Sequence, residues 1–202
     1  MLNPLERLRV AKRRRGFTLI ELLAVAAIIS ILAALASPAF VRIIRDQRVN
    51  RAALEIADLT RTARMRALGR GTAVVMRWTA SGTTGLVEVR EAVATGTDLL
   101  PAPSCANADF KDSGLTSRAV ASLNFGNGAY ELADIEFFDI GGTQQTTPEI
   151  CFSPRGQTYF RTDGASAFQP LAGVPYFTLT NTNTGFVRTV FLPPNGAARV
   201  AL

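Results

Sequence analysis

The feature that most restricts this chain is a run of 20 residues, Phe17 to Ala36, that carries a single charge, Glu21. As a helix rising 1.5 Å per residue it spans about 30 Å, the thickness of a bilayer's hydrocarbon core. Just before it stand Arg7, Arg9, Lys12, Arg13, Arg14 and Arg15 against one acid, Glu6. Basic residues flanking a span hold that end on the cytoplasmic side, so the bulk of the chain is expected across the membrane. A secretory signal peptide has a shorter core and then a small-residue cleavage site. This run is longer, and no turn-forming residues follow its end.

An ordinary membrane anchor gives no reason to keep Glu21. An ionised carboxylate in hydrocarbon costs a few kcal/mol even on mild scales, so one retained there calls for a partner. After Gly16 the chain offers no base until Arg42, at the far end of the helix. A partner must come from outside or be made by processing. Cutting between Gly16 and Phe17 would make one, the new α-amino group of Phe17, one helical turn from Glu21. In a stack of subunits the same carboxylate could meet a neighbour's terminus instead.

Arg15-Gly16-Phe17-Thr18-Leu19-Ile20-Glu21, followed by the apolar helix, resembles the class III signal of type IV pilins and type II secretion pseudopilins. The resemblance implies cleavage after Gly16 by a prepilin peptidase and N-methylation of Phe17. Pro38 matches a proline common in that family. A proline inside a helix removes one hydrogen bond and invites a kink or local melting. Four segments are expected: 1–16, a cytoplasmic basic leader removed by the peptidase; 17–37, a transmembrane and filament-core helix; 38–70, its amphipathic continuation; and 71–202, a globular β-rich domain.

The continuation is marked by Val49, Ala52, Ile56, Leu59, Ala63 and Ala67, which step by three and four into one apolar stripe. Between Arg42 and Arg70 lie eight arginines against Asp46, Glu55 and Asp58. With no aromatic residues interleaved, the arginines read as a solvated face, or one packed on acidic neighbours in a filament, rather than a nucleic-acid surface. Gly69 and Gly71 are expected to end the helix.

From Thr72 the pattern turns to short β-branched and alternating runs, at 72–79, 85–91, 118–125, 130–140, 149–153, 157–162, 175–182 and 185–192. "ASGTTG" reads as a turn between the first two. Asn127-Gly128 reads as the hairpin turn joining the third and fourth. A closing "ARVAL" follows Pro193-Pro194-Asn195-Gly196, and the polar stretch 92–117 has no clear periodicity. One long helix followed by about eight strands makes an α+β chain, a pilin-like helix packed on a C-terminal antiparallel sheet or sandwich.

Three stretches narrow the resemblance. "TARMRALGRGTAVVMRW", "EICFSPRGQTYF" and "RTVFLPPNGAARV" are similar to the GspH/FimT family of minor pilins and minor pseudopilins. That family implies a low-copy structural subunit in or near the tip complex that primes a filament. Its partners would be other pilins or pseudopilins, the prepilin peptidase and the inner-membrane assembly platform. The chain would lie in a bacterial inner membrane, its C-terminal domain periplasmic, before joining the filament. One subgroup binds DNA during transformation through a Gly-Arg-x-Arg pattern near the C-terminus. Here the matching positions are Gly196-Ala197-Ala198-Arg199, so the first arginine is missing, and Arg188 and Arg199 remain as a possible local patch. Residues 71–202 carry eight bases against eleven acids, which disfavours a broad phosphate-attracting field.

Histidine is absent, which removes the commonest general base and metal ligand. No metal, cofactor or catalytic residue is expected. Asp134, Glu136 and Asp139 form an acidic cluster, but alternation on a strand puts the first two on its solvent face. Cys105 and Cys151 are too few for a four-ligand zinc site. In an exported domain an even pair reads as one disulfide, two buried free thiols being the alternative.

Overall fold

A computed structural model describes residues 17–94, 100–106, 108–110, 118–126, 128, 130, 133–195 and 197–201. The leader, Gly16, Asn127 and Gly196 lie outside the described residues. The chain forms two units, 1–41 and 42–202, and one helix, α1 (Leu19–Arg70), contributes to both.

In chain order the strands are β1 (Val74–Ser81), β2 (Thr84–Glu91), β3 (Val93–Ala94), β4 (Ala108–Asp109), β5 (Arg118–Asn124) and β6 (Ala133–Phe138), then β7 (Gln144–Gln145), β8 (Glu149–Phe152), β9 (Thr158–Arg161), β10 (Gln169–Pro170), β11 (Tyr176–Asn181), β12 (Val187–Phe191) and β13 (Arg199–Ala201). One sheet runs β10-β9-β8-β1-β2-β5 and a second β13-β12-β11-β6-β7, while β3 and β4 form a small ribbon. Every ladder is antiparallel. The architecture is therefore the expected α+β one, a long N-terminal helix packed on antiparallel sheets.

Within the second unit one apolar cluster draws on α1 and both large sheets. The helix supplies Val49, Ala52, Ala53, Ile56, Ala63 and Ala67, the first sheet Val74, Met76, Trp78, Val87, Val89, Ile150 and Phe152, and the second Ile135, Phe137, Phe177, Leu179 and Val190. The helix contributes mostly alanines, and small side chains let its backbone lie close to both sheets. Leu59, expected in the stripe, is only half-buried, while Thr60 is buried because its hydroxyl donates to the Ile56 carbonyl at 2.8 Å. Trp78 meets Phe177 edge-on at 5.5 Å, and Phe177 meets Phe137 at 4.9 Å, so rings bridge the two sheets. Gly85 lies under Trp78, where a Cβ would stand 2.4 Å from the indole Cη2 and 2.5 Å from the Thr79 carbonyl oxygen.

Polar contacts fasten the helix at intervals. Asp46 accepts from Asn181 and from Thr184 at the β11–β12 turn, and Asn50 accepts from Arg188 at 3.0 Å. Glu55 accepts from the Tyr130 hydroxyl, and burial, then this bond, push that phenol up to about 12. Arg66 and Arg70 both pair with the nearly buried Glu91 at the end of β2. The helix ends at Arg70 and Gly71 follows at φ 68°, a left-handed cap open to glycine. Gly69 stays inside the helix.

The expected hairpin through Asn127-Gly128 does not form. β5 pairs with β2 at the edge of the first sheet, whereas β6 pairs with β11 and β7 in the second. Phe125, fully buried against Trp78 and Tyr130, draws the chain into the space between the sheets. The β1–β2 turn takes both sides of that crossing: the Phe125 amide donates to the Gly85 carbonyl and the Ile135 amide to the Thr83 carbonyl, each at 2.9 Å. Burial of one large ring outweighs a local turn preference.

The described residues of 92–117 also have a packing role that their composition does not indicate. Ala92, Ala102, Cys105 and Phe110 cover the outer face of β1 and β8 with Ala73, Val75 and Cys151. Cys105 and Cys151 form the disulfide, 46 residues apart in sequence. On the chain-entropy argument a loop of that length is worth about 4 kcal/mol. Cys105→Ser with Cys151→Ser is expected to lower the unfolding free energy by about that much, read by urea titration of the full chain in detergent, with the stretch becoming protease-sensitive first. Unchanged stability would mean that the outer apolar cover alone holds the segment.

Candidate functional site

Phe17 and Glu21, two of the residues expected to serve processing and assembly, fall just before and within the first turn of α1. Phe17 is 83% exposed, and the large side chains that follow it through Leu35, then Phe40 to Ile44, are all exposed. A helix apolar on every side and buried by none of the described residues requires lipid or other helices around it. α1 contains the one stretch among the described residues long and apolar enough to cross a membrane.

Thr18 caps this helix. Its carbonyl accepts from the amides of Glu21 at 3.1 Å and Leu22 at 3.2 Å, and its hydroxyl accepts from the Glu21 amide at 3.3 Å. Thr-x-x-Glu is the capping-box spacing, and an acid in the first turn also suits the positive end of the helix dipole. Among the described residues the Glu21 carboxylate has no hydrogen-bond or ion-pair partner. The signal for Thr18 in the sequence is its spacing, three residues before Glu21. Pro38 lies inside α1, which runs on helically past it, so the missing hydrogen bond does not break the helix.

The arginines proposed as a patch do not come together. Val190 pairs with Val200 and Phe191 with Arg199. By strand alternation Arg188 shares a face with buried Val190, while Arg199 shares the opposite face with Phe191. Arg188 is used internally, its Nε donating to Asn50 and its guanidinium resting 4.4 Å from the Phe186 ring centre. Arg199 is exposed.

The acidic cluster is also local structure. Asp134 and Glu136 alternate with buried Ala133, Ile135 and Phe137. Asp139 closes a turn. Desolvation works to raise its carboxyl, but the amides of Thr143, Gly141 and Gly142 and the Gln145 side chain prevail and hold it below the usual range. No group of three or more potential metal ligands occurs among the described residues.

The three stretches singled out in the sequence meet in space. From the first, Arg64 donates to the Pro194 carbonyl of the third at 2.5 Å; from the second, Thr158 donates to the same oxygen at 2.6 Å. Arg64 also reaches the Gly156 carbonyl at 3.4 Å.

Residues 11–37 match the prokaryotic N-terminal methylation motif. No curated protein and no solved structure matches the chain. The motif, with an exposed apolar helix running out of it, supports a type IV pilin-like protein anchored in a membrane. It implies processing by a prepilin peptidase and assembly with other pilins.

Proposed function

We propose that the chain is a minor pilin or minor pseudopilin, a structural subunit that primes or caps a type IV pilus or a type II secretion pseudopilus. The observation that carries this reading is the methylation motif at 11–37 feeding directly into a helix whose apolar side chains none of the described residues covers. In this reading the precursor waits in the inner membrane, the peptidase cuts after Gly16, and Phe17 is methylated. Glu21 then pairs with a terminal amine, its own or a neighbour's, as helices slide into a bundle. A charge buried alone is costly and a matched pair largely offsets that cost, so pairing favours one register. The β domain supplies contacts to adjacent subunits and no chemistry. The meeting of Arg64, Thr158 and Pro194 supports the finer GspH/FimT assignment, because the three similar stretches build one locality rather than three. Nothing comparable supports DNA uptake, since Arg188 and Arg199 face opposite ways.

Gly16→Ala is expected to leave a full-length precursor, visible on an immunoblot as a band heavier by the leader. In the wild type the mass of the isolated protein should begin at Phe17 with one added methyl group. A native protein that begins at Met1 would overturn the filament-subunit reading.

A further inference from the structure

Of the eight arginines between Arg42 and Arg70, four are engaged within the chain: Arg51 with Glu55, Arg64 with backbone carbonyls, and Arg66 and Arg70 with Glu91. Arg42, Arg45 and Arg48 have no partner among the described residues, nor does Arg61 farther along. The first three stand one helical turn apart, directly after the exposed apolar run that ends at Ile44, with Arg42 inside its last turn. Asp46, the one acid among them, forms no ion pair with any of the three, and its Oδ1 accepts from Asn181 and Thr184 instead. Three guanidinium groups without an ion-pair partner among the described residues, a net charge of +2 with Asp46 counted, thus line one side of two turns.

Their depth follows from the helix rise. The run from Phe17 to Ala36 alone spans about 30 Å as a helix, and Arg42 is the first base after it. A bilayer is about 30 Å thick in its hydrocarbon and about 40–45 Å with its headgroups. With Phe17 at one interface, the stripe begins in the opposite headgroup layer, and arginine stems can bend back toward it. Arginine's planar fork matches phosphate oxygens in pairs, and the net positive charge of the stripe favours a headgroup whose phosphate has no compensating cation over a zwitterionic one.

We propose that Arg42, Arg45 and Arg48 form a binding surface for anionic phospholipid headgroups on the far leaflet, which holds the subunit at a fixed depth before assembly. The inference rests on the proposed function for placing α1 across a bilayer. Carboxylates of a neighbouring subunit are the competing occupant. The observations favour lipid because the stripe starts where the apolar surface stops.

The test uses the full chain in nanodiscs of phosphatidylglycerol and phosphatidylcholine in equal parts, with native mass spectrometry reading the lipids retained. The wild type is expected to keep phosphatidylglycerol at about fivefold excess. Arg42→Gln/Arg45→Gln/Arg48→Gln should bring that excess close to one, while Arg61→Gln/Arg155→Gln, which removes exposed charge elsewhere, should leave it intact. A wild type without preference would overturn the proposal and point to a neighbour's carboxylates, and so would a preference that the triple variant keeps. The same spectra give the chain's mass. A Phe17 start without lipid preference sinks the headgroup site alone, whereas a Met1 start with the preference sinks the subunit reading and leaves the site standing.

Discussion

A Glu21→Val chain is expected to be cut after Gly16 as the wild type is, and then to appear in filaments roughly tenfold to a hundredfold less. The expected cut falls before Phe17, ahead of the helix, whereas the carboxylate lies in its first turn, so removing the acid leaves the peptidase its substrate. What is lost, on the proposed pairing, is the partner of the Phe17 amine, and a cation without one in an apolar bundle is costly to place. The Thr-x-x-Glu spacing offers Glu21 a competing role, as the acid of a capping box with Thr18, although its carboxylate makes no such bond in the structure. Glu21→Gln separates the two. It keeps an acceptor at the capping position but carries no charge, so it should fail as Glu21→Val does. The measurement is the ratio of mature subunit in sheared filaments to that in membranes. Full recovery by Glu21→Gln would assign the residue to capping, and undiminished incorporation of Glu21→Val would discredit pairing.

Glu149→Gln is expected to cost about 3–5 kcal/mol, the range for breaking a buried ion pair by neutralising one member. Glu149 is 1% exposed, and its two oxygens are divided between Arg77 and Arg161. The three side chains come from β1, β8 and β9, so one carboxylate draws three adjacent strands of the first sheet together. Without its charge two guanidinium groups face each other across a site with little water. For a domain of this size the loss corresponds to a fall in Tm of roughly 6–20 °C. Thermal unfolding of the full chain in detergent would read it. Arg51→Ala, which breaks an exposed pair one turn apart on the helix, should move Tm by no more than a degree or two. Equal shifts for the two variants would show that the buried triad is not what holds those strands.

What could be read in advance was what repeats or what stands out of place. Glu21 was conspicuous as a charge in an oily run, and the stripe from Val49 to Ala67 announced itself by its spacing. Gly71 marked the end of α1, and the alternating runs located the longer strands to within three residues at either end. The contacts that tie segments far apart in sequence were not legible. Glu149 sits in "EICF", which looks like any strand with a polar end, and nothing local says that Arg77 and Arg161 will converge on it. Asp46 looked like one more surface acid, although it receives Asn181 and Thr184 from a turn more than 130 residues away. The two-residue strands β3, β4, β7 and β10 are too short for any periodicity to register. The misread hairpin has the same origin: a turn signal is local, whereas the place of Phe125 is decided by Trp78 and Tyr130.

The stripe on α1 has a mechanical consequence. From Val49 to Ala67 the helix is embedded in the domain over about 27 Å, and its fastenings are spread along that length rather than gathered at one end. A pull along the helix axis, such as a strand of subunits would transmit when stretched, is therefore met in shear by many small contacts at once. The same force applied sideways would peel them one after another, so the domain is built to bear lengthwise load.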